Sequence, residues 1–182
     1  MNIDEPGIIL ITGIMAAGKS TVAQHLAEQL PKSVHLRGDV FRRMIVSGRV
    51  EMSPDTMEAG LRQLMLRYQV AVTAADLYCK AGFTVVYQDI IIGPVFQDVV
   101  DMLIQTPQPV YVIVLCPTPD VVARREAGRE KTGYGAWTPD QLDHELRTNT
   151  PHYGLWLDTS ALSVEETVDA ILGGLDEAAV RK

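Results

Sequence analysis

The stretch Gly13-Ile14-Met15-Ala16-Ala17-Gly18-Lys19-Ser20-Thr21 carries the clearest chemistry in the chain. It fits the pattern G-x-x-x-x-G-K-[ST] in full, and the apolar run Ile8 to Thr12 leads straight into it. Gly13 and Gly18 let the backbone close around an anion with its amides pointing inward, while Ala16 and Ala17 keep the loop small. A helix starting near Lys19 adds the positive end of its dipole at the same spot. Lys19 is then placed to bridge phosphate oxygens, and the Ser20 hydroxyl to ligate Mg²⁺. Gly13, Ala16, Ala17, Gly18, Lys19, Ser20 and Thr21 are therefore the expected site for ATP with magnesium. A Gly-rich turn holding Gly-Lys-Ser by chance would not need a strand before it and a helix after it. The loop alone does not separate kinases from ATPases and GTPases. The chain has no Asn-Lys-x-Asp segment, which argues against guanine reading.

Other charged residues fall where such a loop would use them. Asp39 follows the second apolar segment, at the carboxyl edge where open α/β sheets bind ligands, and Arg42 and Arg43 come one helical turn later. As a preferred cap, Asp39 has a structural alternative at the N-terminus of a helix beginning near Val40. Asp89 ends the run Thr84-Val85-Val86-Tyr87-Gln88, a Walker-B-like shape expected to hold a magnesium-bound water or to meet the substrate. Strand alternation puts Gln88 on the opposite face from Asp89. The segment from Asp120 to Gly135 reads as a helix breaking into a Gly-rich loop, with Arg124, Arg125, Arg129 and Lys131 as a cationic cluster. Arg125 and Arg129 lie four apart and share a face; the alternative is a solvated surface paired with Glu126 and Glu130.

Taken together, these residues resemble the small P-loop kinases: the nucleoside-monophosphate, shikimate, gluconate and adenylylsulfate kinases, with chloramphenicol phosphotransferase and the zeta-type toxins. The resemblance implies that Asp39 is a base or orienting acid for an acceptor hydroxyl. It implies that Arg42 or Arg43 binds the acceptor and that Asp89 serves the metal or the substrate. It makes 124–136 a lid, with Arg124 stacked on adenine and Arg125 or Arg129 reaching the transferring phosphoryl group. The implied activity is ATP-dependent phosphorylation of a small hydroxyl compound such as a sugar acid or an antibiotic. The chain lacks the long inserted lid of many adenylate kinases, which argues against a nucleoside-monophosphate acceptor. A P-loop ATPase or nucleotide-dependent switch, and a polynucleotide 5′-hydroxyl kinase, stay open as alternatives.

Those side chains need a scaffold, and apolar runs alternate with helical patterns from end to end, the signature of βα units wound into a parallel sheet. Strands are expected at Ile8 to Thr12, Val34 to Arg37, Phe83 to Ile92, Val110 to Leu115 and Leu155 to Asp158. Ser53-Pro54-Asp55, Thr118-Pro119-Asp120 and Thr138-Pro139-Asp140-Gln141 all read as helix starts with proline at N1. Leu61, Leu64, Met65, Tyr68 and Val72 form the apolar stripe of the first of these helices, and Gly82 can close it. Ser163-Val164-Glu165-Glu166 opens the last as a capping box. The expected fold is α/β: a three-layer P-loop NTPase domain with about five parallel strands, the first one central, and right-handed crossovers.

Composition agrees with one domain spanning 1–182. The charged fraction is 21% and the net charge −7, which gives no electrostatic footprint for nucleic acid. The N-terminus has no basic stretch before an apolar one, and no apolar run is long enough to span a membrane, so a cytoplasmic location is expected. Cys79 and Cys116 read as buried free thiols, and His25, His35, His144 and His152 show no metal-ligand spacing. Trp156 is expected in the core. Neither the oligomeric state nor the acceptor is readable.

Overall fold

The aliphatic run Ile8–Thr12 forms β1, with all five residues buried. It is the middle strand of its sheet with helices over both faces, so the strand has no polar side to show. A computed structural model describes residues 5–128 and 137–181 of the chain. After β1 come α1 (Lys19–Gln29), β2 (Ser33–Arg37), α2 (Gly38–Arg43), a 3₁₀ turn (Pro54–Thr56), α3 (Met57–Lys80), β3 (Thr84–Gln88) and α4 (Val95–Ile104). The second half holds β4 (Val110–Leu115), α5 (Pro119–Ala127), α6 (Pro139–His144) running into a π-helical turn (Glu145–Asn149), β5 (Leu155–Leu157), α7 (Val164–Gly173), α8 (Leu175–Ala178) and β6 (Ala179–Val180).

The strands lie in the order β2-β3-β1-β4-β5, all parallel, with β6 antiparallel on β4. Helices α1 and α7 pack together, as do α3 and α4, giving the three layers of the P-loop NTPase fold. The core is built from the strand interiors with Leu26, Tyr68, Phe96 and Ile171 contributed by the helices. Cys79 and Cys116 are both free and buried. Among the described residues, no helix is long and apolar enough to cross a membrane.

Local chemistry explains where the elements start and stop. Capping boxes open α6 at Thr138 with Gln141 and α7 at Ser163 with Glu166, and Gly82 follows α3 at φ 83°. The helix expected from Ser53 begins as a separate 3₁₀ turn, held by Ser53 Oγ and Thr56 Oγ1 at 2.8 Å, and α3 proper starts at Met57. Leu61 of the anticipated stripe stays 38% exposed, while Tyr68 and Val72 are buried. Strand β3 stops at Gln88, well short of Ile92. There the Asp89 carboxylate accepts from the Ile90 amide at 2.8 Å and turns the chain out of the sheet. Strand β5 likewise ends at Leu157, because Asp158 Oδ1 accepts from the Ser160 amide at 2.9 Å. Trp156 is only partly buried: it stacks on His152 with ring centroids 4.3 Å apart and donates to the Tyr153 carbonyl. The two-residue β6 was too short to show a pattern in the sequence.

The π-helical turn is anchored on two sides. Arg147 donates to the carbonyls of Cys116 and Pro117 at 3.2 and 3.1 Å while its Nε is held by Asp143. Thr150 accepts from the Gly93 amide at 2.7 Å. The π-helical turn and Thr150 after it are thus tied to the ends of β4 and β3.

Candidate active site

Strand β1 delivers the loop from Gly13 to the carboxyl edge of the sheet. A side chain at Gly13 would bring its Cβ within 2.4 Å of the Leu115 carbonyl on β4, so the loop can leave the strand there only as glycine. Further on, Ala16 takes the left-handed conformation at φ 61°, an uncommon backbone state for a residue with a side chain. Helix α1 starts at Lys19 with no side-chain cap, so its first amides stay available to an anion. Lys19 is 7% exposed, and its ammonium donates to the Ile14 carbonyl at 2.7 Å, folded back across the loop. Ser20 and Thr21, by contrast, are exposed.

Two side chains from opposite faces of β3 complete this edge. Ser20 Oγ donates to Gln88 Oε1 at 2.9 Å. Asp89 lies on the other face, 4% exposed, where Arg67 of α3 donates from Nη2 to Oδ1 at 3.1 Å. Arg67 Nε also approaches Oδ2 at 3.1 Å as an ionic contact without hydrogen-bond alignment. Burial pushes the Asp89 carboxyl up, against the pull of Arg67, while Arg67 is kept charged by Asp89 despite its own burial. The Asp89 carboxyl also senses Lys19 and Asp39, so with Arg67 four charged groups converge at this edge. The sheet geometry leaves Gln88, not Asp89, beside the Ser20 hydroxyl.

Asp39 stands in the first turn of α2, whose N-cap is Arg37, so Asp39 is not the cap that its residue type allowed. The helix begins two residues earlier than a cap at Asp39 would have it, at Gly38, which packs directly on Asp89. With its side chain 42% exposed, Asp39 is held by Arg42 Nε at 3.0 Å and Arg43 Nη2 at 2.6 Å. Burial pushes its pKa up, but the hydrogen bonds and charges of Arg42 and Arg43 outweigh that and hold it below the usual carboxylate value. Arg42 also pairs with Glu51, as does Arg49. The two arginines expected at an acceptor are therefore already engaged with carboxylates.

On the far side of the loop, Arg125 of α5 donates to the Ala17 carbonyl at 3.3 Å and to the Thr159 carbonyl at 3.0 Å. Val121, Arg124, Arg125 and Ser160 line a cleft of about 300 Å³ beside the loop. Arg129 and Lys131, with the rest of the expected lid from 129 to 136, lie outside the described residues.

Among the described residues, no group of three or more His, Cys, Asp or Glu side chains could hold a metal by itself. The donors at hand are the exposed Ser20 hydroxyl and the Gln88 carboxamide oxygen. Oxygen donors suit a hard cation that keeps most of its ligands from phosphate and water, so Ser20 fits a magnesium ion arriving with a nucleotide. Sequence reasoning singled out Asp89 for its type and missed Gln88 and Arg67. The alternation of β3 already pointed Gln88 away from Asp89, and that signal was present in the residues.

Residues 8–151 match the model of the AAA domain family. Over 57 residues the chain is 39% identical to a UPF0200 protein of Aeropyrum pernix, a match spanning 31% of this chain and 30% of that protein's length. Two solved structures share its architecture nearly end to end. A sugar kinase from a Janibacter species superposes with a TM-score of 0.68 at 19% identity, covering 95% of this chain and 96% of that one. The adenylylsulfate (APS) kinase of Mycobacterium tuberculosis, in complex with AMPPNP and APS, gives a TM-score of 0.70 at 16% identity, covering 94% and 98%. At such identities the likeness is one of fold.

Proposed function

The chain belongs to the AAA domain family, and on that premise we propose that it is an ATP-dependent phosphotransferase acting on a hydroxyl group of a small molecule such as a sugar acid or an antibiotic. One juxtaposition carries the reading. A phosphate loop ending in Lys19 and Ser20 shares its sheet edge with Asp39, an ionised and half-exposed carboxylate in the first turn of α2. A carboxylate there can orient an acceptor hydroxyl toward the bound phosphates.

In this reading the loop amides and Lys19 hold the β- and γ-phosphates, and Lys19 swings from the Ile14 carbonyl to do so. Ser20 would hold magnesium, which when bound offsets charge on the phosphate oxygens. Arg124 and Arg125 border the base, and Arg129 is proposed to reach the transferring phosphoryl group. Asp39 accepts a hydrogen bond from the acceptor hydroxyl and aims its oxygen at the γ-phosphorus. As the new O–P bond forms, the bond to ADP breaks and the hydroxyl proton leaves by way of Asp39 to water. Phosphoryl transfer asks for positioning more than for a strong base, which suits a carboxylate of lowered pKa. Arg42 and Arg43 fix that carboxylate, and the Asp89–Arg67 pair forms the floor beneath it.

Incubating the protein with MgATP and a panel of sugars, sugar acids and hydroxylated antibiotics, with products read by mass spectrometry, tests the proposal. A phosphorylated product made by the native chain and not by Lys19→Ala is the expected result. ADP formation that no acceptor stimulates would turn the reading toward an ATPase.

A further inference from the structure

Gln88 is a buried neutral side chain whose oxygen reaches the phosphate loop. It is the last residue of β3, paired with Ile11 on one side and Arg37 on the other, and 8% exposed, so the sheet fixes where its side chain goes. Its carboxamide oxygen accepts the Ser20 proton at 2.9 Å. A hydroxyl has one proton and two acceptor lone pairs, and committing the proton to Gln88 leaves the lone pairs on the side away from it. A carboxylate could take the same proton, but it would add a negative charge there. The nearest acid in sequence, Asp89, spends its charge on Arg67 across the other face of the sheet.

We infer that Gln88 is a positioning residue that orients the Ser20 hydroxyl for a nucleotide-borne divalent cation, and that it does so as a neutral group. The inference rests on the phosphate-loop reading of Ser20 and concerns how the metal is held rather than which molecule accepts the phosphoryl group. Two consequences follow from its chemistry. Removing the carboxamide frees the Ser20 proton to point at the cation, which weakens metal binding. Replacing it with a carboxylate keeps the proton acceptor and brings a charge that attracts the metal.

Binding of a fluorescent ATP analogue to the full chain, titrated with Mg²⁺ and repeated in EDTA, tests this without any acceptor. Gln88→Ala is expected to need about ten-fold more Mg²⁺ for half-maximal metal-dependent binding, the usual scale for losing a group that orients a metal ligand. In EDTA it should bind within about two-fold of the native chain, since the shift belongs to the metal. Gln88→Glu is expected to need no more Mg²⁺ than the native chain, and to bind the analogue more weakly in EDTA through repulsion of the triphosphate. An unchanged Mg²⁺ midpoint in folded Gln88→Ala overturns the inference while the phosphate loop stands. Should that variant fail to fold, a Gln88→Glu midpoint raised like that of a deletion overturns it instead. If the native chain binds no analogue at any Mg²⁺ concentration, the phosphate-loop reading itself falls.

Discussion

Gly38 lies so close to Asp89 that a Cβ built on it would stand 2.0 Å from the carboxylate Oδ2. Residues 51 positions apart in the chain thus meet where α2 begins, and the contact sets the height of the helix that carries Asp39. The glycine is required here for space and not for backbone conformation.

Gly38→Ala should therefore lift α2 away from the sheet. Overpacking of this kind costs about 1–3 kcal/mol, which for a domain of this size lowers the melting temperature by roughly 2–12 °C. Because Asp39 moves with the helix, transfer should fall more than nucleotide binding does. A variant that melts and transfers like the native chain would show that α2 does not depend on this contact.

Lys19→Ala should abolish transfer and leave the fold standing. The side chain is tucked against the loop, where its ammonium donates to the Ile14 carbonyl. Circular dichroism and a nucleotide-binding titration on the same sample check both halves, and native turnover in this variant would remove the loop from the reaction.

Asp39→Asn tests the carboxylate as an orienting group. Asn removes the charge that Arg42 and Arg43 hold, and transfer should drop by about 10² or more with ATP binding nearly intact. Equal loss of both would place Asp39 in the nucleotide site instead.

The pH profile separates an orienting carboxylate from a true base. Because its folded pKa lies below the unfolded value of 3.8, the Asp39 contacts favour the fold above that pH and are lost as pH falls through the folded value. Asp39 therefore stays ionised throughout the neutral range. The transfer rate should show no carboxylate inflection between about pH 5 and 8, and one near neutrality would indicate a base whose pKa rises when the acceptor binds.

Arg125→Ala should cut the tie between the phosphate loop and the carbonyl of Thr159. Nucleotide affinity is expected to fall by about ten-fold, the scale of one charge-assisted hydrogen bond. A fall in kcat alone, read by steady-state kinetics, would move Arg125 to the transferring group.

Much of this was legible in the residues because it is local. The phosphate loop announces itself in nine consecutive positions, Gly13 to Thr21, and the capping boxes at Thr138 and Ser163 need only four each. What the sequence hid depends on pairing across the sheet. Gln88 is as ordinary a strand residue as any until Ser20, 68 positions earlier, is brought beside it. Asp89 looked like the functional acid because nothing nearby in the sequence shows Arg67, on the far face, consuming its charge. The cap at Asp39 failed for the same reason, since the start of α2 is decided by Gly38 resting on Asp89.

Arg125 and Arg147 bear on how such a chain can change over evolutionary time. Arg125 fastens α5 to the phosphate loop, and Arg147 fastens the π-helical turn to the end of β4. Both guanidiniums do so by donating to main-chain carbonyls, those of Ala17 and Thr159 in one case and of Cys116 and Pro117 in the other, and every residue type supplies that acceptor. Drift in the side chains at those four positions therefore leaves the hydrogen bonds possible, whereas loss of either arginine removes them.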